Sequence, residues 1–139
     1  MLAQPSEADL RFVERFEAGE VDPGSFHHRE HLRLAYTYLT TCSRSAARTR
    51  MRSQIQSFLE RNAVDPGKYH ETMTMAWMDA VRHFIELAVA ADSFDAFVQA
   101  DPRVLDQSIM LTHYSRETLF SSAARTAYLA PDIDPIPCC

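Results

Sequence analysis

The sequence predicts an all-α fold, a single-domain up-down helical bundle of about five to seven helices. Three observations carry this. Apolar residues recur at helical spacing along the chain, Ser, Asp and Pro-Gly signals punctuate that pattern, and no alternating run of Val, Ile or Thr offers a strand. The 3 glycines and 7 prolines fall near expected element ends. A chain of 139 residues suits one core that buries roughly two-thirds of its unfolded surface, so residues 1–139 read as one helical domain. Within it, 131–139 forms an extended proline-rich tail.

Ser6 caps the first helix with Asp9 three residues on, Leu10, Phe12, Val13 and Phe16 are its apolar set, and Gly19 stops it. A turn at Val21-Asp22-Pro23-Gly24-Ser25 follows. The second helix is expected from about Phe26 to Cys42. At about 100° per residue, Leu32, Ala35, Leu39 and Cys42 share a stripe with His28, and His31 and Tyr38 edge it. Arg29, Glu30, Arg33, Thr37 and Thr40 fall opposite, and His27 lies on the flank. Ser43 or Ser45 opens the third helix, with Met51, Ile55 and Phe58 inward and Arg48, Arg50, Arg52 and Arg61 on a solvated face. Asp65-Pro66-Gly67 is a turn signal.

The fourth helix is expected from about Tyr69 to Ala91, centred on Trp77, Val81, Phe84 and Ala88. His70 lies on that line, while His83 faces Asp79, Arg82 and Glu86 on the wet side. Two shorter helices break near Asp101-Pro102. A last one runs from Arg116 to about Leu129 behind Ser115, with Leu119, Ser122, Ala123 and Thr126 inward and Arg125 beside them.

In an up-down bundle alternate helices begin at the same end, which brings His28, His31 and His70 together, with Tyr114 and Ser115 arriving beside them. Histidines at i and i+3 can chelate one ion, and a third imidazole leaves an open position for water or substrate. The expected cofactor is a divalent transition metal, zinc, iron or copper. Helix N-termini disfavour imidazolium and welcome an anion.

The leading expectation is therefore a metal-dependent enzyme, a hydrolase, lyase or oxygenase, acting on a small polar or anionic metabolite. His28, His31 and His70 would be metal ligands and Glu71 the general base or a fourth ligand, with Tyr114, Ser115, Arg125 and Trp77 contacting substrate. Each has a plainer alternative: His70 as a cap or stacked on Trp77, Ser115 as an N-cap, Arg125 paired with Asp106 or Glu71. His27, His83 and His113 read as surface residues. The competing expectation is a metal-free small-molecule or protein-binding helical module, and a third is a structural subunit that pairs as a homodimer.

Net charge of −5 and the absence of a basic stripe argue against nucleic acid as a partner. No run of about 18 apolar residues suggests a membrane span, and the first residues lack the n- and h-regions of a signal peptide. The expectation is a cytoplasmic protein with Cys42, Cys138 and Cys139 as reduced thiols.

Three motifs together resemble a group of small, largely uncharacterised bacterial helical proteins. They are Phe26-x-His28-x-x-His31-Leu32 with Ala35-Tyr36; Tyr69-His70-Glu71-Thr72-x-Thr74 with Trp77; and Tyr114-Ser115 with Leu119, Ser122, Ala124-Arg125 and Pro131-Asp132. The resemblance implies an all-helical single domain with the three histidines near one pocket. It implies no activity.

Overall fold

Side-chain caps set most helix boundaries in the computed structural model, which describes residues 3–88 and 90–137. Ser6 and Asp9 exchange backbone hydrogen bonds of 3.0 and 2.9 Å in a capping box that opens α1, Glu7–Glu17. Gly19, at φ +78°, ends it. Helix α2, His28–Thr41, starts two residues later than predicted, because the 3-10 turn Pro23–Ser25 runs into Phe26 and the Glu30 carboxylate accepts from the His27 N–H at 2.8 Å. Ser43, rather than Ser45, caps α3, Arg44–Arg61.

Helix α4, Glu71–Leu87, is shorter than predicted at both ends. His70 is its N-cap, with extended backbone, and Ala88 has already left the helical region. Ser93 caps α5, Phe94–Ala100.

The next segment departs from expectation. Asp101 and Asp106 accept hydrogen bonds from backbone N–H groups two residues on, so Pro102–Leu105 and Gln107–Thr112 close as 3-10 turns instead of a regular helix. The predicted last helix is likewise two one-turn pieces, α6 (Arg116–Leu119) and α7 (Ser122–Thr126), since Ser121 accepts from Ala124 N–H and starts a new helix. That break invalidates a single wheel across the region: Ser122, Ala123 and Thr126 are exposed, and Ala124 is buried in their place.

The fold is a single all-α domain organised on α2, which packs against α1, α3, α4 and α5. Leu34 to Tyr38 are buried without interruption, so this helix is covered on both faces. Thr37, predicted to face water, is 1 % exposed and satisfies its hydroxyl on the Arg33 carbonyl. The arginines of α3 are more than a solvated face: Arg48 reaches Asp79, Arg50 Glu17 and Arg52 Glu71, tying α3 to α1 and α4. The one β-bridge among the described residues joins Ala3 to Ala91. The tail crosses His113, whose carbonyl accepts from the Ile133 and Asp134 N–H groups and whose Nδ1 donates to the Asp134 carbonyl. No helix among the described residues is long and apolar enough to cross a membrane.

Candidate functional site

Between α2, α3, α4 and the turns around α6 lies a cavity of about 700 Å³, a size that suits a drug-sized molecule. His28, His31, His70 and Trp77 all line it, so the structure brings together the three predicted histidines and one predicted substrate contact. The first turn of α2 supplies His28 and His31, the cap of α4 supplies His70, and Trp77 follows two turns along α4. Much of the remaining wall is apolar, with Phe26, Phe58, Met51, Met73, Met78 and Met110 prominent.

The three imidazoles are not equivalent. His70 accepts a 3.0 Å hydrogen bond from the Met73 N–H at Nδ1, so Nε2 carries the proton and donates to the Leu119 carbonyl at 2.7 Å. Both nitrogens are therefore spent on structure. His70 caps the start of α4 and anchors α6, and in this arrangement it presents no lone pair to a metal. Burial lowers its pKa, and the nearby Arg125 adds to that against the Leu119 hydrogen bond.

His28 packs edge-on against Trp77, with ring centroids 4.6 Å apart. Its Nε2 is the one buried side-chain nitrogen or oxygen without a hydrogen-bond partner among the described residues. Burial lowers its pKa, partly offset by a hydrogen bond to the Val104 backbone. His31 lies 4.3 Å from the Phe26 ring, and its side chain makes no hydrogen bond with any described residue. Burial, reinforced by His28, pushes its pKa down to about 4. At neutral pH His31 is thus an uncharged donor-acceptor pair on an apolar wall, and a bound polar atom is what could satisfy it.

The other predicted site residues lie elsewhere, each for a visible reason. Glu71, expected as general base or fourth ligand, is not in the cavity wall. Arg52 grips its carboxylate at 2.9 and 2.5 Å, the Tyr69 hydroxyl donates to it at 2.6 Å, and these partners lower its pKa against burial. A carboxylate held in that form is a weak base. Tyr114 is 0 % exposed, donates to the Leu129 carbonyl and does not line the cavity. Ser115 caps α6, accepting from Thr118 N–H and donating to Asp132. Arg125 is exposed on a separate depression beside Glu71, and donates to the Gly67 carbonyl.

The last helix was expected to reach the histidines with its start. It arrives instead with the far end of α6, where Leu119 and Phe120 line the cavity. The methionines are not singled out as wall residues by the sequence pattern, although four of the chain's six, Met51, Met73, Met78 and Met110, line the cavity, and the run Met73, Met75, Met78 on α4 is a sequence signal for an adaptable apolar surface. His27 is exposed at the edge of the cavity. Among the described residues no group of three or more His, Cys, Asp or Glu side chains is arranged to hold a metal. Cys42 is a free thiol, and Cys138 and Cys139 lie outside the described residues.

Neither a family model, nor a curated protein, nor a solved structure matches this chain.

Proposed function

We propose that the protein binds a small molecule with a largely apolar body in the cavity between α2, α3 and α4, and that His28 and His31 supply the polar contact. The observation that carries this reading is the His28–His31 pair: the buried Nε2 of His28 has no hydrogen-bond partner among the described residues, and His31, half-buried and with its pKa pushed down to about 4, lines the same cavity of ligand size. A protein interior rarely leaves such a group unsatisfied, and a ligand hydroxyl or carbonyl would complete it.

Trp77, the single tryptophan, lines the cavity and makes the test direct. Titration with decan-1-ol should change Trp77 fluorescence saturably, and His31→Leu should weaken that binding about tenfold, the cost of one lost hydrogen bond in a desolvated site. Absence of any saturable change in the wild type, or equal affinity in the variant, would count against the reading.

A second reading, the metal-dependent enzyme, draws on the unpartnered Nε2 of His28 near His31. It requires His70 to release the Met73 N–H and the Leu119 carbonyl, or the bound molecule to complete the coordination. Metal analysis of untagged protein tests it: about one equivalent, lost in His28→Ala, would support it, and a metal-free protein whose stability is unchanged by chelation would oppose it.

A further inference from the structure

The charge of the cavity wall narrows the class of ligand, and this step rests on the binding reading above. Among the described residues that line the cavity there is no Asp, no Glu and no Arg. The wall holds one formally charged side chain, Lys68, which is also the only lysine in the chain. Lys68 ends the 3-10 turn Pro66–Lys68 and is exposed, so it stands where the cavity meets solvent.

Its ammonium makes no ion pair or hydrogen bond with any described residue. The neighbouring carboxylates are engaged elsewhere: Asp65 accepts from the Gly67 N–H, and Glu71 is held by Arg52 and Tyr69. Arginines elsewhere on the protein form ion pairs with Asp9, Glu17, Asp79 and Glu71. An apolar cavity with one unengaged cation at its mouth and neutral imidazoles inside is complementary to a single anionic group attached to an apolar body.

We infer that the ligand is an amphipathic monocarboxylate, its carboxylate held by Lys68 at the mouth, its apolar body against the methionine and aromatic wall, and a hydroxyl or carbonyl group meeting His28 and His31. A carboxylate fits better than a phosphate ester, because the dianion would call for guanidinium forks, and no arginine is among the described residues that line the cavity.

Three probes that differ at one end separate this from simple apolar binding: 10-hydroxydecanoate, decane-1,10-diol and 10-aminodecan-1-ol, each titrated by Trp77 fluorescence at low ionic strength. The wild type should bind the carboxylate at least tenfold more tightly than the diol, and the amine most weakly. Lys68→Met should bring the carboxylate down to the affinity of the diol and leave the diol unchanged, while Lys68→Arg should retain the preference. Equal binding of carboxylate and diol in the wild type, or a preference that survives Lys68→Met, overturns the carboxylate assignment and leaves the cavity reading standing. Failure of all three probes to bind overturns both. Lys68 is exposed, so the circular dichroism of its variants should match the wild type.

Discussion

Holding an imidazole in its neutral form against an apolar wall costs stability as pH falls, and His31 is held half-buried against the Phe26 ring. Its pKa of about 4 in the folded chain lies below the ordinary 6.5, so between those values the unfolded chain takes up a proton that the folded chain refuses. Stability should therefore fall as pH drops from about 6.5 to about 4, by up to about 1.4 kcal/mol per pH unit for this group. His28 and His70 are displaced the same way. Asp9, Glu17 and Glu71 sit below their ordinary carboxylate values, and their stabilisation is lost only at lower pH. Urea unfolding between pH 7.5 and 5 should show the decline in the wild type and a shallower one in His31→Leu, which should also be the more stable protein at each pH. A variant with the wild-type slope would contradict the assignment.

His70 predicts the opposite sign. His70→Ala removes the α4 cap, at about 1 kcal/mol, and leaves the Leu119 carbonyl without its partner, at about 1–3 kcal/mol more. His70→Asn, which can cap but not reach so far, should recover the first part in chemical denaturation.

At the scale of elements, the joints are polar. Asp9 is 2 % exposed and accepts from the N–H groups of Ser6 and Phe94 and from Arg33, joining α1, α2 and α5 at one carboxylate. Asp9→Ala would leave the Phe94 N–H and the half-buried Arg33 unpaired, at a cost of about 3 kcal/mol or more in urea unfolding. A loss under 1 kcal/mol would mean these helices are held by apolar packing alone.

Caps are local, and for that reason the first four helices were legible from Ser6, Gly19, Ser43 and the Asp65-Pro66-Gly67 turn. The C-terminal third was not, because Asp101, Asp106, Ser115 and Ser121 each bind a nearby backbone N–H and cut the helix into single turns. Thr37 misled for another reason. Its wheel position is polar only if one face of α2 is free, and α2 is packed by α1, α3, α4 and α5, which leaves Thr37 buried.

For the whole molecule, the meeting of His28, His31 and His70 on one cavity was legible because two helices begin there, which is a matter of topology. Which lone pairs stay free was not legible. That depends on Leu119 arriving from 49 residues away to engage His70, and on Arg52 claiming Glu71. The outcome is an apolar cavity that carries the buried, unpartnered Nε2 of His28, with the third histidine turned into a structural post.

The central claim is that a small molecule in this cavity completes the hydrogen bonding of His28 and His31. The most direct measurement is the imidazole nitrogen-15 spectrum of histidine-labelled protein with and without decan-1-ol at pH 7.5. The account predicts that the unprotonated ring nitrogen of His31, and with it that of His28, moves in the direction of hydrogen-bond acceptance as alcohol is added, while both His70 nitrogens stay in place. A spectrum in which the His28 and His31 nitrogens do not move at saturating alcohol, or in which His70 alone responds, would contradict it.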